Sequence, residues 1–503
     1  MSAFRDRQRK VLEEGEGCVS QQKLRRSKHG RGLELAKVEI PAEFVVEFRV
    51  RHGSSSRNQS AVTFTSSSNA AGRRVVVGSL PYHHHNFQGV WRDACLQVLL
   101  ERYLPSNTIR TELRPEIRCR LSGPTETVCS TWVVTAYRIA HTFEGELLRD
   151  ALLSTSLGVI GRERNDPRFL VASLRTYQTA LKRVRSQLAA LSAEAITQEP
   201  GMLLLQSCLT LAIQELLANQ SIDSFNQHSQ GVAALLSLAG PKALKSQSVR
   251  HFYFEHRAMY IIPCMWERRS PYYAQKAWIE FPGKKSCKHA MSPYHQLVDV
   301  ACLLPSVMES LDSEKDISVA GLRALLVRVS GLEHQMDEWR YNLSERTSYS
   351  LFVCAESKAD VLFSDTIQFS SFNFATAIGY YFVFKIYCAQ LTMEICERMI
   401  DQGIDQNFLL QQSLIKFVEN CRLVCRTMEY YLDAERGFAG KLAASFPMST
   451  ACRSFRFAYD KYSVALDAEM EWCRQIALRF HSHGVTWISI DTPAGEKSPS
   501  AQQ

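Results

Sequence analysis

The sequence predicts an all-α protein, a large irregular multi-helix array behind a basic, mostly disordered N-terminal segment. Three observations predict it. From about Leu80 onward, apolar residues recur at spacings of three and four, the period of a helix buried along one face. Over the same stretch, no run alternates convincingly in the way a half-buried strand does. Charge is divided unevenly: residues 1–79 hold 15 Lys/Arg against 8 Asp/Glu, and the other 424 hold 44 against 43. The expected organisation is a basic segment over 1–79, a helical domain over 80–489 and a polar tail over 490–503.

The first segment is polar and aperiodic. Lys23–Arg31 reads KLRRSKHGR, six basic side chains in nine positions with His29 included. Ser54–Ser60 and Ser66–Asn69 are polar runs, and Val38–Val50 alternates loosely without a partner strand, which leaves it unstable in water. Lys23, Arg25, Arg26, Lys28 and Arg31 are the candidate residues for nuclear import or contact with the DNA backbone. Contact of that kind neutralises phosphates, so it is salt-sensitive and indifferent to base sequence.

The helices follow in order. Leu170, Leu174, Tyr177, Leu181, Val184, Leu188 and Leu191 mark one stripe, with Asp166-Pro167 as N-cap and first-turn proline. Met202–Ala218 is apolar almost all round, which predicts burial on several sides. A helix over about Ser224–Leu238 stops at Gly240-Pro241, with Gly240 in the left-handed conformation and Leu235 and Leu236 buried. Leu414, Phe417, Val418, Cys421, Val424, Cys425, Met428 and Tyr431 mark a further face. Loops are expected over Phe281–Pro293, Ser310–Ser318, Ser344–Ser350 and Gly437–Pro447. No 33- to 45-residue self-similarity of the ankyrin or TPR kind is present.

Composition removes whole classes. With 24 Gly and 16 Pro in 503 residues and 46% hydrophobic content, the chain is neither collagen-like nor wholly disordered. Fifteen Cys are too sparse for a disulfide scaffold, and Ser2-Ala3-Phe4-Arg5-Asp6-Arg7 after Met1 does not read as a secretory signal. Free, mostly buried thiols in a reducing compartment are expected. No stretch reaches the ~18 charge-free apolar residues of a membrane span. The nearest, Phe374–Leu391, contains Lys385. A soluble intracellular protein without a membrane partner is the expectation.

Catalytic and cofactor motifs fail on their mechanics, and no catalytic, cofactor-binding or metal-ligating residue is assigned. Gly283-Lys284 has Trp278 where a phosphate loop needs its first glycine, and Lys285 where it needs Ser or Thr. There is no G-x-S-x-G, H-E-x-x-H, Asp-Asp or C-x-x-C. Cys421 and Cys425 sit on an apolar stripe and read as core thiols. His83-His84-His85 are consecutive, so their side chains do not converge on one ion. His334, Asp337 and Glu338 read as a polar face beside a packed Trp339. The stretch Phe252–Phe281, with Tyr253, Phe254, Tyr260, Trp266, Arg268, Arg269, Tyr272, Tyr273 and Trp278, admits three readings: core packing, a pocket for an apolar small molecule, or stacking of bases.

Four segments together resemble the regulatory domain of fungal transcription factors of the binuclear zinc-cluster class, over about Leu80–Gly484. The helix with Ala172, Tyr177, Ala180 and Leu181 is similar to the family's Tyr-x-x-Ala-Leu helix, and Met202–Leu217 to its Leu-rich helix. His228, Gly231, Leu235, Leu236 and Gly240-Pro241 resemble its most recognisable block. Phe446-Pro447-Met448, Ala451, Phe455, Glu471, Trp472, Cys473 and Gly484 resemble its closing block. The resemblance implies a nuclear regulator of a metabolic or biosynthetic gene set, without enzymatic activity. Its helical domain would sense a small-molecule effector or meet protein partners, a second copy included, and it would reach DNA directly or through a partner regulator. It also implies zinc held by six N-terminal Cys, yet residues 1–94 contain only Cys18, so this sequence does not supply that cluster. Two other readings stand beside it: a helical protein-binding scaffold without direct DNA contact, and an enzyme in an all-α fold.

Overall fold

Residues spaced three and four apart become helices that bury one side and leave the other in water. The computed structural model describes residues 87–104, 132–142, 145–189, 195–281, 292–313, 316–347, 350–357 and 362–488. Lys23, Arg25, Arg26, Lys28, Arg31, His83–His85, Gly283 to Lys285 and the 490–503 tail lie outside them. The described residues all fall within one unit, Phe87–Gln503.

The chain opens with α1 (Phe87–Tyr103), α2 (Trp132–Thr142), α3 (Glu146–Glu163), α4 (Pro167–Ala189) and α5 (Glu199–Gln214). The last of these runs on into a π-helical turn, Glu215–Asn219. α3 packs against α1, α4 and α5, and α5 against α6 (Ile222–Ala239). α5 together with its π turn is long and apolar enough to cross a membrane, but 89% of that window is buried inside the fold. It is this helix, rather than Phe374–Leu391, that carries the strongest membrane-like signal, and burial on all sides explains it.

α4 begins as its sequence dictates, with the Asp166 carboxylate accepting the Arg168 N–H at 2.9 Å. Its stripe is only partly used. Of it, Val184 is buried and Leu170, Tyr177 and Leu181 are half-buried, whereas Leu174 is 47% exposed and Leu188 39%, and Leu191 lies outside the described residues; Ser173 and Ala180, off the predicted stripe, are buried instead.

α6 is capped by Ser221, whose hydroxyl accepts the Ser224 N–H at 3.2 Å. It ends at Gly240, at φ 72° and ψ 170°. That is positive φ but not the left-handed helical cap expected; it is a region open essentially to glycine alone. Leu236 is 0% exposed, while Leu235 is half-buried rather than buried. Leu236→Ala should therefore lower the unfolding free energy by about 2–5 kcal/mol, and Leu235→Ala by less. Gly240→Val should also destabilise. Urea denaturation checks all three, and a native midpoint for Leu236→Ala would place this helix at the surface.

Next come α7 (Gln247–Glu267), the short α8 (Lys276–Ile279), α9 (Pro293–Ala301), α10 (Leu304–Ser313) and α11 (Val319–Arg346). Helix therefore replaces the loop expected at Ser310–Ser313 and at Ser344. A two-stranded antiparallel hairpin comes next, β1 (Phe352–Glu356) paired with β2 (Asp365–Phe369), Cys354 opposite Ile367. The pattern of the sequence predicts no strand here; Ile367 and Phe369 turn into the core and stabilise the pair.

α12 (Phe372–Asp401), α13 (Asn407–Arg426), the short α14 (Met428–Leu432), α15 (Gly437–Tyr462) and α16 (Asp467–Ser482) complete the described chain. α12 is the central element, contacting α9, α11, α13 and α15. The Gly437–Pro447 stretch, expected as a loop, is the first part of α15 and carries Pro447 within it. Gly and Pro are local signals, and here the burial of Ala439, Ala444, Phe446 and Met448 overrides them. The predicted face Leu414–Tyr431 is buried at every named position, split between α13 and α14.

Candidate functional site

Three of the four family-like segments meet at one point. Tyr177 of α4 donates its hydroxyl to the Glu215 carboxylate at the start of the π turn. His228 of α6 places Nε2 2.9 Å from the same phenol oxygen and 3.8 Å from Glu215. Since the phenol proton goes to Glu215, the His228 ring serves the phenol oxygen as donor through Nε2. Asn219 adds a bond to the other Glu215 oxygen at 3.0 Å. Burial depresses the His228 pKa, the Glu215 charge opposing it. Burial and the bond to Glu215 raise that of Tyr177. Spacing alone offers His228 no acid to work with; the fold supplies Glu215 from 13 positions upstream. A Cβ placed on Gly231 of the same block would meet nothing within 4 Å, so packing does not require a glycine there.

The aromatic stretch is a buried lattice of rings rather than a free stacking surface. Tyr253 stacks on Trp278 at 5.6 Å, and Tyr272 meets Trp278 edge-on at 4.9 Å. Arg268 is committed to Asp312 and Glu394, each at 2.7 Å. Arg269 pairs with Glu267. At the centre lies Arg257, 3% exposed, bonded to Asp299 at 2.6 Å and to the His295 carbonyl at 2.7 Å. Its guanidinium covers the Phe254 ring at 4.7 Å. Burial works against the Arg257 charge, and the Asp299 carboxylate overrides it, so its pKa is raised.

Between these two regions is a cavity of about 80 Å³. Leu216 of the π turn, Phe225 of α6, Met259 and Trp266 of α7, Tyr380 of α12 and Phe446 of α15 line it, with Trp487 from beyond α16. Two of the four family-like segments reach this lining, the Leu-rich run through Leu216 and the closing block through Phe446.

Two further groupings emerge only in space. Cys421 and Cys425 are joined by Cys452 and Cys473, and Cys473 is hydrogen-bonded to both Cys425 and Cys452. The bond to Cys425 and burial push the Cys473 thiol well up, and burial does the same for Cys421. Among the described residues, no group of three or more His, Cys, Asp or Glu is placed to hold a metal ion, and the zinc implied by the resemblance finds no fitting ligand set there. Asp337 turns to Lys385 at 2.9 Å and accepts the Tyr381 hydroxyl at 2.6 Å. His334 and Glu338 face solvent. Polar contacts to Glu333 and Asp337 keep the Lys385 ammonium charged inside α12.

Set against family models, curated proteins and solved structures, the chain matches none of them; the functional assignment rests on its residues and their geometry.

Proposed function

We propose that this protein is a nuclear regulator of transcription, similar to fungal zinc-cluster factors, whose helical domain senses an effector. Lys23–Arg31 carries nuclear import, and DNA is reached directly or through a partner regulator; residues 1–94 of this sequence hold one cysteine, Cys18, and so do not supply a six-cysteine zinc cluster themselves. The observation that carries the reading is the meeting of Tyr177, Glu215 and His228. Segments that resemble one family only by their order along the chain are joined by a single hydrogen-bonded cluster. Tyr177 and His228 carry the resemblance at separate places in the sequence, and Glu215, from the Leu-rich segment between them, bridges the two. No phosphate loop, nucleophile elbow or metal-binding pair in the sequence favours catalysis instead.

The test uses the full chain as a fluorescent fusion, and again tethered to a reporter promoter through an unrelated DNA-binding module. Wild type is expected in the nucleus, and replacement of Lys23, Arg25, Arg26 and Lys28 by Ala leaves it in the cytoplasm. The tethered chain changes reporter output several-fold in either direction. A cytoplasmic wild type, or an unchanged reporter, overturns the proposal.

A further inference from the structure

We propose that the outer face of α4 docks an acidic amphipathic helix of a partner protein. That helix lays a row of leucines against Leu174, Leu181 and Leu188 and sets carboxylates against Arg175, Lys182 and Arg185. The inference goes beyond the role proposed above, because it rests on this one helix and its charge.

α4 repeats every seven residues. Leu174, Leu181 and Leu188 form one line along it, and Val171, Gln178 and Arg185 form the line beside that. Seven residues make nearly two turns, so each line stays on one side, as in the seam of two paired helices. α4 packs inward on α3 and α5, and Ser173, Ala180 and Val184 are the positions it buries there. The seven-residue lines are left toward the outside. Leu181 is half-buried, and Val171, Leu174 and Leu188 are exposed. Apolar side chains scattered singly over a surface need no explanation; a row in helical register marks an interaction face.

Charge identifies the partner. α4 holds five Lys/Arg and no Asp or Glu. Arg168 pairs with Asp166, and Arg183 with Glu146 and Asp150. Arg175, Lys182 and Arg185 are exposed and make no ion pair among the described residues. Arg175 and Lys182 directly follow Leu174 and Leu181, and Arg185 lies one turn before Leu188, so the three cations flank the apolar row. A second copy of α4 would bring these charges against their own kind, which opposes pairing. A helix with Glu or Asp beside its leucines meets both features at once.

The apolar row also decides against the other polyanions. Phosphates of a nucleic acid would answer the cations and leave the leucines in water. A lipid surface needs apolar side chains that reach below the headgroups, and less than half of each of Val171, Leu174 and Leu188 stands clear of the fold.

The experiment titrates the purified full chain, up to about 100 μM, into a fluorescein-labelled peptide of three heptads, read by anisotropy. The peptide has Leu at its seam positions, Glu beside them and Ala elsewhere, and it is expected to saturate. Peptides with Ser for Leu, or Lys for Glu, are expected to bind at least about tenfold more weakly. Leu174→Ser combined with Leu188→Ser should weaken the Glu peptide about tenfold, as two half-covered leucines provide. Arg175→Glu, Lys182→Glu and Arg185→Glu together should weaken it about as much and allow the Lys peptide to bind. Failure of the Glu peptide to saturate overturns the proposal, as does binding that survives either set of substitutions. So does a Ser peptide that binds as tightly as the Leu peptide, the mark of a site for any polyanion. Tighter binding of duplex DNA or of phosphatidylserine vesicles, lost in the charge-reversed variant, overturns it as well. Circular dichroism checks that the variants fold. Should they fail, the wild-type contrast between Leu and Ser peptides decides: tenfold supports the face, and parity overturns it. A cytoplasmic fusion protein would sink the function proposed above without touching this face, and failed titrations would sink the face alone.

Discussion

Acidification from pH 6.5 toward 4 is expected to cost the fold about 3 kcal/mol through His256 alone, from a displacement of roughly 2.5 pKa units. This histidine is fully buried, and burial pushes its pKa down to about 4, against the opposing effect of its bond to the Ser229 carbonyl. The unfolded chain takes up a proton near the ordinary histidine value of about 6.5, where the folded chain refuses it until about 4. Over that window the unfolded state binds more protons, so stability is complete above about pH 6.5 and is lost as pH falls. His295 acts in the same direction, its pKa held well down by burial and then by the charges of Arg257 and His251. His228 adds a smaller effect of the same sign. Since whole domains hold only about 5–15 kcal/mol, urea midpoints should drop steeply between pH 6.5 and 4.5, above the range where ordinary carboxylates titrate. His256→Gln should be less stable at pH 7.5 yet show a flatter profile. A slope equal to that of wild type would exclude His256 as its source.

Asp299→Ala should destabilise the chain by about 3–5 kcal/mol, the cost of leaving a buried charge uncompensated. Arg257 is the charge in question, held by Asp299 at 2.6 Å and wedged over Phe254. The double variant Arg257→Met with Asp299→Leu should recover much of that loss, because replacing a buried pair by apolar side chains is often neutral or better. Thermal unfolding of the two single variants and the double variant, compared as a cycle, reads this directly. A loss under 1 kcal/mol for Asp299→Ala would mean that water reaches Arg257.

Long helices are legible because their signal is local. The stripe from Leu414 to Tyr431 and the all-round apolar run Met202–Ala218 each announce their burial through spacing alone. Spacing does not say how much of a face finds a partner, which is why Leu174 and Leu188 emerge exposed on a correctly placed α4. The hairpin escapes because five-residue strands carry too few alternations to be distinguished from irregular chain. The Gly437–Pro447 helix escapes because tertiary burial outweighs two local helix breakers. The candidate site is legible only as separate parts. Tyr177 and His228 stand out as motif positions, but Glu215 lies unremarked in an apolar run. No periodicity rule reports that residues 38 and 51 positions apart share one hydrogen-bonded cluster. The cavity draws on helices from α1 to α15, so it has no counterpart in any single stretch of sequence.

The bond from Gln220 to the carbonyl of Gly484 spans 264 positions, which has a consequence during synthesis. A ribosome adding about 5–20 residues per second needs roughly 13 to 53 s to deliver the second partner after the first. Throughout that interval Leu216, Phe225 and Met259 have emerged or are emerging while Phe446 and Trp487, their neighbours around the cavity, are made only toward its end or after it. The helices up to α6 can form meanwhile, but with an apolar side open to whatever the nascent chain meets. The residues that close the first helices are thus among the late ones to leave the ribosome, and until they arrive that apolar side stays open to association with other chains.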